Sequence, residues 1–395
     1  MPEEIRNKLG IEPGSHVKIE EARDRIIIHR PVNHLVKVYI EPTNMCNLQC
    51  STCMRNVWEE PGGKMEIETY YRILRGIEKV EPRPTLFFGG IGEPLFHPEI
   101  VEMTRGAKEL GASVELITNG TMLVEDMTLQ LVEAGLDMLW VSIDGATPES
   151  YADIRLGNEL PDIRKNLKSL RLIKFDKRLK KPEVGISVVV MKRNIAELPE
   201  IIKMGYQFGA KKFSISNVLP YTSEYKDEIL YPKSMYDSFS EWIGVQLPRF
   251  DVNEDTIDVL GKLMRGYYGT QISGLKLLWP VDNCPFITRG SVSIRWDGKV
   301  SPCLPLLHTH ESYLDDRARV NHSHSVGSIL DNDLLEIWES PEYVETRQKL
   351  QEFDFSPCTM CNSCELADSN EEDCFGNILP TCGGCLWAQG FINCP

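Results

Sequence analysis

The pattern that most constrains the fold is an alternation of strand-like and helix-like runs between residues 35 and 220. Six runs rich in β-branched or aromatic residues occur at 36–41, 85–89, 113–118, 138–143, 184–190 and 212–217. Between them, apolar residues recur at helical spacing in two stripes, namely Tyr71, Leu74, Ile77 and Val80, and Ile163, Leu167, Leu170 and Ile173. Nearly continuous apolar strands that alternate with helices predict a parallel sheet covered by helices. Because six units fall short of the eight in a closed barrel, we predict an open, partial (β/α)6 barrel.

The composition indicates which binding partners are not expected and in which cellular compartment the protein resides. The chain has 395 residues, enough for two or three domains, and a net charge of −15 from 43 basic and 58 acidic residues. This acidity predicts no nonspecific binding to nucleic acid or to an anionic membrane. No run approaches the ~20 apolar residues of a membrane helix, and Met1 is followed by "PEEIRNKLG" rather than by an apolar leader. We therefore expect a cytoplasmic protein whose thiols stay reduced.

The twelve cysteines divide into two groups, three within residues 46–53 and nine from Cys284 onward. Cys46, Cys50 and Cys53 follow the first predicted strand, at the edge where active sites of parallel sheets gather. Reduced thiols at this spacing predict metal binding or redox chemistry. Three thiolates on a four-iron cube leave one iron free for another ligand, whereas a zinc loop needs a fourth ligand. The spacing alone leaves the iron cube, the zinc loop and idle thiols as alternatives.

The arrangement Cys46-x3-Cys50-x2-Cys53 after a first strand resembles the signature of radical S-adenosylmethionine (SAM) enzymes. The resemblance implies that the three cysteines hold a [4Fe–4S] cluster whose open iron chelates SAM. It also implies that the reduced cluster cleaves SAM to a 5′-deoxyadenosyl radical, which abstracts hydrogen. A reduced ferredoxin or flavodoxin-type protein is the expected electron donor. The residue before the third cysteine is often aromatic in this family, whereas this chain has Thr52.

Further polar and glycine-rich segments follow the next strands, and the same resemblance assigns them to SAM. The residues expected to bind it are Gly89, Gly90, Gly92 and Glu93 at the amino group, and Asn119, Ser142 and Asp144 on the ribose side. The alternatives are an ordinary glycine turn and a polar turn in which Asp144 caps the next helix. A cation in the run Lys192–Asn194 could meet the SAM carboxylate or an anionic substrate, and a solvated turn is equally compatible with that run. We assign no side chain a catalytic role from the sequence.

The second cysteine group resembles the SPASM extension of radical SAM enzymes, which holds one or two auxiliary four-iron clusters. Its members are Cys284, Cys303, Cys358, Cys361, Cys364, Cys374, Cys382, Cys385 and Cys394. Gly298-x4-Cys303 matches the extension well, whereas the later spacings depart from its usual pattern. Structural zinc ribbons are the alternative, because zinc also suits CxxC pairs. We expect the histidines of the intervening polar loop to be solvated rather than ligands, and these are His308, His310, His322 and His324.

These observations divide the chain into four predicted parts: residues 1–33, the partial barrel over 34–222, a helical linker over 223–280, and the cysteine-rich domain over 281–395. Within the last part we predict one helix near 333–350. The first part resembles a segment of the swapped hairpin of AbrB-like regulators. Residues 1–30 carry six basic and six acidic side chains, so DNA binding is not expected. Packing on the barrel, dimerisation, client binding and an added hairpin without a separate role remain alternatives.

The combination of an AbrB-like start with a radical SAM and SPASM body resembles the maturases associated with tungsten-cofactor oxidoreductases. The resemblance implies a substrate that is a protein, a peptide or a tungstopterin cofactor, with a tungstopterin oxidoreductase as a partner. One alternative is a peptide-modifying enzyme that forms thioether or carbon–carbon crosslinks, or that oxidises a Ser or Cys side chain of a sulfatase. Another is an iron–sulfur electron carrier or scaffold, which has no need of the glycine loop or of an open iron.

Overall fold

The structure is a computed structural model that describes residues 2–11, 15, 17–22, 25–232, 235, 251, 253–259, 262, 271–273, 284–360 and 364–395. Its strands are β1 (Ile19–Ala22), β2 (Arg25–Ile28), β3 (Lys37–Ile40), β4 (Thr85–Phe88), β5 (Val114–Thr118), β6 (Met138–Ser142), β7 (Glu183–Val190), β8 (Lys212–Asn217), β9 (Gln271–Ser273), β10 (Ser291–Ile294), β11 (Lys299–Ser301), β12 (His310–Leu314), β13 (Arg317–Asn321) and β14 (Gly327–Ser328). The α-helices with described bounds are α1 (Glu3–Leu9), α2 (Ile67–Ile77), α3 (Ile100–Glu109), α4 (Glu125–Glu133), α5 (Pro148–Arg155), α6 (Leu160–Asp176), α7 (Leu198–Gln207), α8 (Pro285–Thr288), α9 (Leu334–Glu339) and α10 (Pro341–Glu352).

The six predicted strands are confirmed as β3 to β8, which pair in parallel in chain order. The sheet does not end with them, because its full order is β14-β11-β10-β3-β4-β5-β6-β7-β8-β9. Strand β10 of the cysteine-rich region pairs in parallel with β3, and β11 and β14 continue the sheet in antiparallel pairing. The predicted open α/β sheet is therefore correct, and the C-terminal region extends one of its edges.

The two faces of the sheet pack against different parts of the chain. Val38 and Ile40 on β3 belong to a core formed with the helices between the strands. Tyr39, between them in sequence, points to the opposite face, because side chains alternate along a strand. There Tyr39 and Trp140 share a second buried cluster with Phe286 and other residues of the cysteine-rich region. The C-terminal region thus covers the face that the helices leave free.

The last residues of the chain cross this second face. Lys37 Nζ and Tyr39 Oη, both on β3, donate to the carbonyl of Pro395 at 3.0 and 3.2 Å. On β8, Asn217 Nδ2 donates to the carbonyl of Phe391 at 2.9 Å. Because the tail is bonded to the first and the last strand of the six, it braces the open sheet.

Two segments differ from their predicted secondary structure. The helix expected near 333–350 is two helices, α9 and α10, because Pro341 lacks the N–H that would continue α9 and instead occupies the first turn of α10. Within the predicted helical linker, Gln271–Ser273 forms strand β9 beside β8, and Ser223–Glu228 forms a 3-10 helix. Most of the rest of that linker lies outside the described residues. Helix α2 ends at Ile77, so Val80 of the first apolar stripe is buried in the turn that follows.

The N-terminal segment lies against helices α9 and α10. Strands β1 and β2 form an antiparallel hairpin that is separate from the main sheet. Lys18 Nζ donates to the carbonyl of Gln351 at 2.7 Å, and Arg347 Nε donates to the carbonyl of Val32 at 2.8 Å. In the described part of the chain, these bonds therefore link the N-terminal segment to the cysteine-rich region. No helix in the described part of the chain is long and apolar enough to span a bilayer.

Candidate active site

The first three cysteines lie on the loop that leaves the carboxyl end of β3. Cys46, Cys50 and Cys53 are half-buried free thiols. Ser51 anchors the loop, because its N–H and its hydroxyl both donate to the carbonyl of Ile154, at 3.0 and 2.8 Å. Ile154 belongs to the last turn of α5, so the fourth βα unit holds the loop of the first unit in place.

Polar donors contact two of these thiols. Arg155 Nη1 lies 3.6 Å from the Cys50 sulfur, and Asn119 Nδ2 lies 3.8 Å from the Cys46 sulfur. Burial raises the pKa of Cys46, and it raises the pKa of Cys53 to about 11. Thiolate ligands must lose these protons, and the nearby donors are suited to stabilising the resulting charge. Three thiols on one loop, together with such donors, fit a four-iron cube that keeps one iron open.

The glycine-rich segment after β4 lies directly on the cysteine loop. The N–H of Glu93 donates to the carbonyl of Met45 at 2.9 Å. A Cβ atom at Gly92 would stand 2.2 Å from the carbonyl oxygen of Thr43, so a side chain at this position would displace the cysteine loop. Gly90 has a φ of +121°, which side chains disfavour. The glycines therefore allow the first two loops to lie together.

Glu93 is buried, and its carboxylate accepts three hydrogen bonds from the protein. Oε1 accepts from the N–H of Leu95 at 3.0 Å and from the hydroxyl of Thr118 at 2.7 Å. Oε2 accepts from the N–H of Asn119 at 2.7 Å. Burial raises the pKa of Glu93, and these three donors oppose that shift. Since a carboxylate offers about four acceptor positions, one remains for a further donor such as an ammonium group.

Asn119, which follows β5, contacts the cysteine loop. Its Nδ2 donates to Asn47 Oδ1 at 2.9 Å, and Asn47 Nδ2 donates to the hydroxyl of Thr121 at 2.8 Å. The sequence predicts a role for Asn119 on the ribose side and holds no signal for Asn47. The structure brings the Asn119 amide to the Cys46 sulfur through the contact described above.

Asp144 is almost fully buried and forms an ion pair with Arg155, with Oδ2 and Nη2 2.6 Å apart. Its Oδ1 accepts from the N–H of Val189 at 2.8 Å. Burial alone would lower the pKa of Arg155, but the charges of Asp144, Cys50 and Tyr151 together outweigh that effect and raise the pKa. Arg155 thus connects Asp144 to the Cys50 thiol. Asp144 does not cap α5, because the cap is Thr147, whose hydroxyl accepts from the N–H of Ser150. Ser142, the last residue of β6, is half-buried near this group.

In the run Lys192–Asn194, Lys192 is exposed, whereas the other two residues contact the protein. Arg193 lies within 3.1 to 3.4 Å of the carboxylates of Asp153, Glu224 and Glu228. Asn194 Nδ2 donates to the carbonyl of Asp144 at 2.9 Å, which fixes the end of β6. Of the two cations in this run, Arg193 is therefore already surrounded by acidic groups.

The C-terminal cysteines come from several elements and are more deeply placed. Cys284, Cys303 and Cys358 are buried, Cys374 is exposed, and Cys361 lies outside the described residues. The half-buried ones are Cys364, Cys382, Cys385 and Cys394. A cavity of about 50 Å³ is lined by Cys303, Cys382 and Cys385 together with Arg319 and His310.

Four of these thiols influence one another electrostatically. Burial raises the pKa of Cys284 to about 12, and the charge of Cys385 adds to the effect. Burial also raises the pKa of Cys303, with contributions from Cys284, Cys385 and Cys382. Among the described residues, no three cysteine, histidine or acidic side chains are already gathered as around a metal ion. Four neighbouring thiols nonetheless provide the donor set of one four-iron cube.

The prediction of solvated histidines is wrong for two of the four. His308 and His310 are buried, whereas His322 and His324 are half-buried. The ring of His308 lies between the carboxylates of Glu41 and Glu60, with its nitrogens 2.7 to 3.0 Å from their oxygens. The sequence held no signal for this contact, because the partners are 248 and 267 positions away.

Two family profiles and several known proteins are similar to this chain. The Radical SAM superfamily profile matches residues 40–205, and the SPASM profile, an iron–sulfur cluster-binding domain, matches residues 284–365. The chain is 30% identical over 372 residues to the tungsten-containing aldehyde ferredoxin oxidoreductase cofactor-modifying protein of Pyrococcus furiosus, covering 91% of this chain and 96% of that protein. It is 24% identical to the AdoMet-dependent heme synthase of Oleidesulfovibrio alaskensis, covering 89% of this chain and 82% of that protein.

Solved structures share the fold. The structure of anSMEcpe with bound AdoMet aligns with a TM-score of 0.56 at 15% identity, covering 90% of this chain and 96% of that one. SuiB of Streptococcus suis, bound to its precursor peptide SuiA, aligns with a TM-score of 0.55 at 14% identity, covering 83% and 70%. Given the relative that is matched over nearly its whole length, this chain belongs to the radical SAM superfamily, as a SAM-dependent enzyme with a C-terminal SPASM iron–sulfur domain.

Proposed function

We propose that this enzyme is a maturase for a tungsten-containing oxidoreductase and modifies the cofactor or the polypeptide of that enzyme. The observation that carries the proposal is the match to the Pyrococcus furiosus cofactor-modifying protein, which includes 91% of this chain. A match of that extent includes much of the cysteine-rich region as well as the barrel. The substrate, in this proposal, is a tungstopterin or a protein segment beside it.

The proposed SAM site lies at the carboxyl ends of β3 to β6. Cys46, Cys50 and Cys53 would hold a [4Fe–4S] cluster, which would bind SAM and supply the electron for its cleavage. The glycine segment and Glu93 take the amino end of SAM. The hydrogen bonds that Glu93 already accepts from the N–H groups of Leu95 and Asn119 support this role, because they hold its carboxylate in one orientation.

The ribose side of the proposed site is formed by Ser142 and Asp144. The ion pair between Asp144 and Arg155 supports this assignment, because it fixes the carboxylate beside the cysteine loop. Asn119 is better placed to hold the loop through Asn47 than to hold ribose.

Auxiliary clusters are proposed in the C-terminal region. One set of ligands is Cys284, Cys303, Cys382 and Cys385, which are neighbours by their mutual effect on pKa. Cys358, Cys361, Cys364, Cys374 and Cys394 remain for a second cluster. This region covers one face of the sheet.

The electron donor in this proposal is an acidic carrier of the ferredoxin or flavodoxin type. A groove of about 520 Å³ at the start of α6 is lined by Arg164, Lys165 and Lys168, together with Pro148 of α5. The basic side chains stand out in a chain whose net charge is −15, and opposite charges accelerate association. The variant Lys165→Glu with Lys168→Glu should slow SAM cleavage driven by a reduced carrier protein. Cleavage driven by dithionite should be unchanged. A carrier-driven rate in the variant equal to that of the wild type would contradict this docking site.

The maturase proposal is tested with a tungsten-containing oxidoreductase purified from cells that lack this enzyme. The oxidoreductase is incubated anaerobically with the reconstituted enzyme, SAM and reductant, and the extracted cofactor and the digested protein are examined by mass spectrometry. We expect a mass change in one of them that is absent with the Cys46→Ala, Cys50→Ala, Cys53→Ala variant. SAM cleavage without any change in the oxidoreductase would overturn the proposed substrate.

Peptide modification is the second candidate. The chain is 28% identical over 185 residues to the PqqA peptide cyclase of Bradyrhizobium diazoefficiens, which covers 47% of this chain and 47% of that protein. That match is shorter than the one to the tungsten-related protein, so it supports a shared radical-generating part more than a shared substrate. A loss of two hydrogens in a peptide encoded near the enzyme, with no change in the oxidoreductase, would favour this candidate.

A further inference from the structure

His308 is a buried histidine held between two acidic residues on either side of the cysteine loop. Its Nε2 lies 2.9 and 3.0 Å from the two carboxylate oxygens of Glu41, and its Nδ1 lies 2.7 Å from Glu60 Oε2. The side chains of His308 and Glu41 have no exposed surface, and that of Glu60 is 24% exposed. We call Glu41, Glu60 and His308 the histidine clasp.

The chemistry of the clasp requires a charged imidazole. A carboxylate only accepts hydrogen bonds, and a neutral imidazole carries one N–H, so both nitrogens of His308 can be satisfied only when both are protonated. Glu60 also has a cation beside it, since Arg295 Nη1 lies 3.3 Å from its Oε2. Glu41 Oε1 also accepts from the N–H of Ile91 at 3.2 Å, as a carboxylate does. The clasp therefore holds one cation between two anions.

The groups that face His308 from other elements agree with this charge. Trp58 packs on the imidazole with ring centroids 4.4 Å apart, and Asp297 neutralises Arg295 beside Glu60. His310 contacts the His308 carbonyl, but burial lowers its pKa to about 4, so it stays neutral. Burial alone would lower the pKa of His308, but its bonds to Glu41 and Glu60 outweigh that effect and raise it.

The clasp joins three segments of the SAM site to the C-terminal region. Glu41 follows β3 directly and precedes the cysteine loop, and Glu60 follows that loop. Ile91, bonded to Glu41, is the residue between Gly90 and Gly92 of the glycine segment. A Cβ at Gly90 would stand 2.7 Å from Glu41 Cγ, so the glycine segment rests on this carboxylate.

We propose that His308, as an imidazolium, is a positioning residue that locks the cysteine loop and the glycine segment into the geometry that binds SAM. Because His308 belongs to the cysteine-rich region, it also connects that region to the SAM site. This inference rests on the SAM site proposed above. The stabilisation is complete below the ordinary histidine pKa of about 6.5 and is lost as pH rises through the higher pKa of the folded protein.

The test is the SAM affinity of the iron-loaded full-length protein, measured anaerobically by calorimetry across pH 6 to 9. His308→Gln should weaken SAM binding about tenfold at the acidic end, as the loss of a residue that orients ligand-bearing loops does. The ratio of variant to wild-type affinity should move towards one as pH rises, because the wild-type imidazolium then loses its proton. Glu60→Gln should keep the fold. In this variant SAM affinity should fall at a lower pH than in the wild type, because one of the two anions beside His308 is gone. The matched control His324→Gln, a half-buried histidine of the same region, should change neither quantity.

A His308→Gln protein with full iron content and the wild-type affinity at every pH would overturn the clasp. If His308→Gln does not fold, Glu60→Gln decides, and an unshifted pH profile overturns the inference. A wild-type protein that takes up iron but binds no SAM at any pH contradicts the proposed SAM site instead, so the two failures are distinct.

Discussion

The two cysteine regions differ in how the fold brings their thiols together. Cys46, Cys50 and Cys53 lie within eight positions on one loop after β3, and all three are half-buried. The C-terminal thiols range from Cys284 to Cys394, and three of the described ones are buried. A site on one loop depends mainly on local spacing, whereas the C-terminal site exists only when the strands, helices and tail have assembled. The contrast explains why the first site has a readable signature and the second an irregular one.

Each region also has an arginine near its thiols, Arg155 in the first and Arg319 in the second, and the two differ in the groups that surround them. Arg155 contacts Cys50 and is paired with the buried carboxylate of Asp144, which raises its pKa. Arg319 is buried and donates to the carbonyl of Ala367 at 3.1 Å. Burial lowers the pKa of Arg319, and the charges of nearby thiols, Cys358 among them, oppose that shift. The first arginine is paired with a carboxylate, whereas the groups that oppose the pKa shift of the second are the thiols of Cys358, Cys382 and Cys385.

The largest expected effect comes from breaking the C-terminal region alone. Cys303→Ala with Cys385→Ala should remove about four of about twelve irons per chain. SAM cleavage without substrate should persist, because the loop cysteines are intact, whereas product formation should be lost. Iron analysis, Mössbauer spectra and 5′-deoxyadenosine assays measure these quantities. A wild-type protein with about four irons and bound zinc would favour zinc ribbons in this region.

Removing the cation of the first region should destabilise the fold strongly. Arg155→Met leaves the 1% exposed Asp144 side chain without its partner, and breaking such a buried pair costs about 3–5 kcal/mol. Chemical denaturation of the apo protein gives the free energy of unfolding. Arg105→Met is the matched control, since its pair with Glu102 is about half exposed and contributes about 0–1 kcal/mol. Equal losses in both variants would contradict the role of the buried pair.

Glu93 and Asp144 are the two carboxylates of the proposed SAM site, and each should contribute to SAM affinity. Glu93→Ala and Asp144→Ala should each weaken SAM binding about tenfold, because hydrogen bonds to charged groups contribute about 1.5–3 kcal/mol. Iron content should be retained, since neither residue is a ligand. Calorimetry on the loaded proteins measures the affinity, with the exposed Glu102→Ala as control. Unchanged affinity in either variant would remove that residue from the proposed site.

The smallest effect on radical generation is expected from the N-terminal hairpin. Deleting residues 1–30 removes the Lys18 bond to Gln351 but keeps Val32, which accepts from Arg347. SAM cleavage without substrate should stay within about twofold of the intact enzyme, while turnover or binding of a protein client should fall. Pull-down and assay with the client test this directly. Full-rate modification of the client, or a DNA shift by the intact protein at physiological salt, would contradict client docking.

Local patterns carried much of the fold. The six strands of the barrel appear where β-branched and aromatic residues cluster, since their apolar runs must be buried on both faces. The loop cysteines and the glycine segment were also readable, because their geometry depends on neighbours in sequence. The meeting of Gly92 with the carbonyl of Thr43 follows from the adjacency of β3 and β4.

Contacts between distant segments could not be read in this way. His308 meets Glu41 only because β10 pairs with β3 and brings the two regions together. Arg155 was missed because a single arginine at the end of a helix resembles an ordinary surface residue. The break between α9 and α10 is an exception, because Pro341 is a local signal for it that the prediction of one helix overlooked.

The central claim is that the loop cysteines, and not the C-terminal ones, generate the radical. The most direct measurement is 5′-deoxyadenosine formation by the anaerobically reconstituted Cys46→Ala, Cys50→Ala, Cys53→Ala variant, alongside its iron content. We predict no 5′-deoxyadenosine and a loss of about four irons, with the auxiliary iron retained. SAM cleavage at the wild-type rate in this variant would contradict the claim.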